Sequence, residues 1–149
     1  MLEGLSPHEA NLEAVRRIEA WLETSLLAGH TVGVETVLST DKYRRLVTMA
    51  KQTGHQFQLV YVMLDDPERN VDRVSTRVAN GGHPVPANKI HARYHRSLAQ
   101  LPWFLGEADQ AVIYDNSGAK PRQVGDKLRN VITVEDDAPR ALRSALKMA

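Results

Sequence analysis

Arg73, Arg77, Arg93 and Arg96, together with His83, His91 and His95, gather around a short loop of Gly81, Gly82, His83 and Pro84. Arg73 and Arg77 are one helical turn apart and share a face, as do His91 and His95. Guanidinium groups on such a helix–loop–helix arm suit neutralising the charge of a transferring phosphoryl group, because each planar fork can hold two phosphate oxygens. The same run also reads as solvated helix faces on either side of a glycine turn. His91 and His95 stand at the spacing of paired imidazole ligands, but no acidic residue or third ligand converges on them, so no metal site is assigned.

Further candidates are acidic or lie in turns. Glu35 falls within a short apolar run, where a carboxylate is costly to bury unless it has a partner or a role. Asp65 and Asp66 close another apolar run, and Asp66 before Pro67 is explained as a helix cap. Asp115, Asn116, Ser117 and Gly118 could donate to a base or a ribose and are equally an ordinary turn. Trp103 and Phe104, after a proline, read as packing residues. Gly118, Ala119 and Lys120 lack the earlier glycine and the following Ser or Thr of a phosphate-binding loop.

An alternation of helices and strands must position these groups. Ser6, Pro7 and Glu9 form a capping box that opens a helix over 7–28, with Leu12, Val15, Ile18, Leu22 and Leu26 at helical spacing and Gly29 ending it. A buried strand is predicted over 31–38. A helix follows over 41–53, with Tyr43, Leu46, Val47 and Ala50 inward, and then a strand over 57–64 that is apolar enough to be covered on both faces. Asp66 and Pro67 start a helix running to Ala79, stopped by Asn80, Gly81 and Gly82. The next helix starts near Ala87, carries Ile90, Tyr94, Leu98 and Leu101 inward, and is interrupted at Pro102. A third strand spans 111–115. Beyond it lie a weaker strand at 131–134 and a short helix over 139–147. This pattern predicts a parallel α/β sheet whose ligands sit beyond the carboxyl ends of the strands.

The 149 residues fit one domain, and Lys+Arg 19 against Asp+Glu 18 leaves a net charge of +1. That balance argues against nucleic acid or an anionic membrane as partner, so any basic site must be local. The absence of cysteine excludes disulfides and thiolate metal sites and fits a reducing cytoplasm. No run approaches the roughly 18 apolar residues of a membrane span.

Read together, certain segments resemble bacterial zeta-toxin-like kinases. They are Glu35, Thr36, Val37, Leu38 and Ser39; the run Leu59, Val60, Tyr61, Val62, Met63 and Leu64; Arg73 to Arg77 with Gly81, Gly82, His83, Pro84, Val85 and Pro86; and Arg93, Tyr94, His95, Arg96, Ser97 and Leu98. Tyr114, Asp115, Asn116, Ser117 and Gly118 complete the match, which covers about residues 5–118. The resemblance implies an adenylate-kinase-like P-loop fold with a helical, LID-like arm at about 66–100. It also implies transfer of the γ-phosphate of ATP, with Mg²⁺, to a hydroxyl such as that of UDP-N-acetylglucosamine. Position by position, Glu35 and Thr36 fall on the substrate-binding strand, and Arg77 (or Arg73) and Arg93 on the arm's phosphate-contacting residues. Arg96 and Asn116 fall on the nucleotide side.

The chain departs from that family at one decisive point. Relatives carry, ahead of the segment equivalent to Leu5, a first strand, a P-loop with its Lys and Ser/Thr, and a catalytic Asp, and this sequence holds none of them. The expectation is an incomplete kinase domain over 1–149, inactive by itself, with weak or no nucleotide binding. The family's missing strand would lie centrally, so open sheet edges are expected to attract an antitoxin, a complementing strand or a second copy. The alternative is a non-catalytic binding or regulatory fragment that uses those edges.

Overall fold

The computed structural model describes residues 6–148, which fall into two compact units, residues 6–35 with 42–56, and residues 36–41 with 57–148. In the first unit, helix α1 (Pro7–Leu27) opens on the expected capping box: the Glu9 amide donates to the Ser6 hydroxyl, and the Ser6 amide to the Glu9 carboxylate. That pairing satisfies donors the first helical turn leaves free. Gly29 follows the helix at φ +77°, a conformation open to glycine at little cost. Helix α2 (Arg44–Gln52) packs on α1, with Leu22, Leu26 and Val47 buried. Lys42 pairs with Glu19, and Arg45 with Glu23. Leu12, Ile18 and Trp21 remain exposed on α1.

The second unit is a mixed α/β layer. Its elements are β1 (Gln58–Met63), α3 (Pro67–Ala79), α4 (Ala87–Glu107), β2 (Gln110–Asp115), β3 (Arg122–Leu128), β4 (Val131–Val134) and α5 (Arg140–Ala145). The sheet order is β1-β2-β3-β4; β1 and β2 are parallel, and the other two pairs antiparallel. Tyr61 of β1 meets α4 through a hydroxyl contact with Ser97 at 3.0 Å, and Phe57 meets Phe104 edge-on. Leu101, Phe104, Leu105, Ile113, Val124 and Leu142 are fully enclosed.

Four expectations are corrected. Residues 31–38 form no strand: no described strand pairs with them, Leu38 takes a left-handed φ of 54°, and Glu35 is exposed. A strand needs a neighbour to pair its backbone, and without one β propensity does not suffice. The sheet is not wholly parallel, because residues 122–134 form a hairpin. Its tight turn places Arg129 and Asn130 at positive φ, the geometry that matches strand twist. Nor is β1 covered on both faces; Tyr61 and Met63 are buried while Val60 and Val62 are exposed. Finally, Pro102 does not end α4. It removes one donor, but Leu101, Phe104 and Leu105 bury on either side of it and hold the last turn in place.

β3 was not foreseen, for a visible reason. Its sequence includes Gly125, Asp126 and Lys127, none of which reads as a strand interior. Tertiary packing requires two of them. A Cβ at Gly125 would stand 2.8 Å from the Thr133 carbonyl oxygen. Lys127 is only 6% exposed, and its Nζ donates to the carbonyls of Leu105 and Gly106, both at 2.8 Å. A buried ammonium thus caps the carboxyl end of α4, where unpaired carbonyls and the helix dipole both favour a cation.

Candidate functional site

The two parallel strands end side by side, and their carboxyl ends are tied together by the loops that follow. The Asn116 amide donates to the Met63 carbonyl at 2.9 Å, extending the ladder past β2. The Asp65 amide donates to the Ser117 hydroxyl at 2.8 Å, and that hydroxyl in turn donates to the Asp115 carboxylate. The Ser117 amide reaches the same carboxylate oxygen, closing a short Asx turn. From α4, the Tyr94 hydroxyl donates to the carbonyls of Leu64 and Asp65. Burial first, then the acidic neighbours Tyr61, Asp65, Asp66 and Asp115, push the Tyr94 phenol up to about 12. Burial likewise raises Tyr61, partly offset by its contact with Ser97.

Helix α3 leaves this corner from its cap, Asp66, whose carboxylate accepts from the Glu68 amide. No residue of α3 is fully buried. Its side chains nonetheless hold it to the strand ends: Arg69 pairs with Asp65 at 2.7 Å, and Arg73 donates to the Asn116 carbonyl at 2.6 Å. Glu68 reaches across to His91 of α4 at 2.9 Å. The helix ends on Gly81 at φ +87°, and the Gly82 amide returns to the Arg77 carbonyl at 2.9 Å. A Cβ on Gly82 would fall 2.7 Å from Arg77 Cγ and 2.9 Å from its carbonyl oxygen. The paired glycines are therefore required by the helix terminus itself.

Against this geometry the candidate residues separate. Arg73 and Asn116 are brought together, the arginine on the loop's carbonyl rather than projecting free. Arg77 and Arg93 are exposed and make no side-chain hydrogen bond or ion pair with any described residue. Arg96 donates through Nε to the Ser39 carbonyl at 3.3 Å. In the same 36–41 segment, the Thr36 hydroxyl accepts from the Leu38 amide at 3.2 Å. Glu35 belongs to the other compact unit and lies in an exposed, irregular stretch, so the cost of burying it does not arise. His91 and His95 diverge, His91 toward Glu68 and His95 edge-on to the Tyr94 ring. Among the described residues no group of three or more His, Asp or Glu side chains could hold a metal ion.

No protein-family model, no curated protein and no solved structure matches the chain.

Sequence reasoning named Asp65, Asp115 and Ser117 singly but did not join them into one corner, and it missed Tyr94. Tyr94 read as one more inward position of a helix, and its hydroxyl announces nothing in sequence. Asp115 and Ser117 did carry a signal, the two-residue spacing of an Asx turn at the end of a strand.

Proposed function

We propose that this chain supplies the phosphate-facing arm and one nucleotide-side loop of a zeta-toxin-like ATP-dependent kinase, and that it does not transfer phosphate by itself. One observation carries the reading. Arg73 fastens α3 to the Asn116 loop at the carboxyl ends of a parallel strand pair, where α/β sheets take their ligands, while Arg77 of α3 and Arg93 of α4 are exposed and have no partner among the described residues. Free guanidinium groups on an anchored arm have the chemistry to offset charge on a phosphoryl group in transfer.

The residues present do not fit an ATP–Mg²⁺ complex on their own. The 149 residues contain no Gly-rich loop followed by Lys and Ser or Thr. The two carboxylates at the strand ends are already held, Asp65 by Arg69 and Asp115 by Ser117. The arm's contribution is thus charge neutralisation, with the amide cradle to come from elsewhere.

The test is radiolabelled phosphate transfer from ATP to UDP-N-acetylglucosamine, first with the chain alone and then with a zeta-toxin P-loop segment joined ahead of it. The chain alone is expected to give none. The joined protein is expected to give transfer that falls about 10²-fold or more in Arg77→Ala or Arg93→Ala. Transfer by the chain alone, or undiminished transfer in both variants, overturns the proposal. A second reading, a non-catalytic binding fragment, is favoured by the unpaired edge of β1. It takes precedence if the joined protein stays inactive.

A further inference from the structure

Among the described residues, strand β1 lies at one end of the sheet and uses only one of its two hydrogen-bonding edges. Phe57 and Met63 turn their carbonyls toward the β2 side, accepting from the amides of Asp109 and Asn116. Along a strand, successive residues point their N–H and C=O to opposite edges. Gln58, Val60 and Val62 therefore send both groups outward. The next outward residue is Leu64, whose carbonyl is taken by Tyr94, and this bounds the open stretch. The outward residues also share the sheet face opposite Tyr61 and Met63, where Val60 is 67% and Val62 55% exposed.

Edge strands are normally blunted by charge, proline, a bulge or shortness. Gln58–Met63 has no charge and no proline, and its register with β2 is unbroken. At the other end of the sheet, β4 is shorter, with Arg129 two residues before it and Glu135, Asp136 and Asp137 directly after it. The two edges are thus unequal, and β1 is the unguarded one.

We propose that β1 is the interface of a two-fold homodimer, paired antiparallel with the same strand of a second copy and centred on Val60. In that register Val60 faces the partner's Val60, and Gln58 faces the partner's Val62. Each facing pair exchanges both of its N–H···O=C bonds. Every outward amide and carbonyl of the three residues is then satisfied. A shift of one residue sets outward groups against inward ones, and a shift of two leaves Gln58 or Val62 unpaired. The edge complements itself, which is why the occupant is a second copy. It is uncharged, so two copies meet without repulsion, and the valines of both join in one apolar strip across the junction. This inference rests on the strand edge and concerns the chain by itself; a complementing strand added from elsewhere competes for the same edge.

Sedimentation equilibrium of the full chain, across micromolar concentrations, is expected to show a species of two chains. Val60→Pro removes only the outward amide and spares the ladder to β2, and it is expected to sediment as one chain with an unchanged circular dichroism spectrum. Val60→Lys, which leaves the backbone intact and sets like charges against each other, is expected to do the same. The chain has no cysteine, so single substitutions report the register. Val60→Cys places two thiols across a pair whose Cα atoms are about 5.5 Å apart, within disulfide reach. Val62→Cys places them about 14 Å apart, out of reach. Cross-linking about tenfold faster at position 60 than at 62 supports the register. A single-chain mass at every concentration, dimers that persist in both the Pro and Lys variants, or equal cross-linking at the two positions overturns the proposal.

Discussion

Replacing Tyr94 by Phe removes one hydroxyl and keeps the ring, so it isolates what that hydroxyl does at the carboxyl end of β1. The hydroxyl donates to the carbonyls of Leu64 at 3.0 Å and Asp65 at 3.2 Å, from a buried side chain. Loss of the donor leaves the carbonyl of buried Leu64 without its partner, a cost of about 1–2 kcal/mol at neutral pH. The second signature is the response to base. The phenol is raised to about 12 in the folded protein, against an unfolded value of about 10. A raised value means the contribution is complete below about pH 10 and is lost as pH climbs toward about 12. The whole shift corresponds to about 2.7 kcal/mol. Because the hydroxyl is partly open to solvent, screening reduces this to about 1–2 kcal/mol. Urea unfolding of the two proteins, followed by far-UV circular dichroism from about pH 8 to about pH 11, measures the difference. The Phe variant is expected to be less stable at the lower pH and to lose its disadvantage by about half or more at the upper. A gap that holds constant or widens would show that the hydroxyl titrates normally and that the corner is wetter than its geometry implies. No gap at all near pH 8 would show that the two hydrogen bonds add nothing over water.

Lys127→Met keeps the length of the buried stem and deletes the cap on α4. It is expected to cost about 2 kcal/mol, the loss of two charge-assisted bonds and the helix-end attraction net of the burial cost relieved; chemical denaturation at equal or greater stability would refute the capping role. Arg73→Ala is expected to cost about 1 kcal/mol and to speed hydrogen exchange at the 115–118 amides. Arg77→Ala is expected to stay within about 0.5 kcal/mol of wild type, since its side chain has no partner among the described residues to lose. Equal losses in the two arginine variants would remove the distinction between an anchoring and a free guanidinium.

Much of the local structure was legible from side chains that act on their own neighbours. The capping box of Ser6 and Glu9, the Asp66 cap before Pro67 and the Gly81, Gly82 stop are each decided within one turn of helix, so reading the chain in order found them. The apolar run of β1 and the period of α4 were found for the same reason, as burial imposes its spacing over a few residues. What sequence reading could not supply was which strands have neighbours. Residues 31–38 carry the propensity of a strand and form none, while 122–128 carry little and form β3, because a strand exists only where another chain segment accepts its backbone bonds. The site followed the same rule: the arm's arginines were visible by type, yet Arg73 is anchored and Arg77 free only because Asn116, distant in sequence, returns beside β1. Residue identity set the chemistry on offer, and the pairing of remote segments decided which of it stays unspent, since hydrogen bonds and ion pairs across long sequence separations form only once the chain has closed the loop between them.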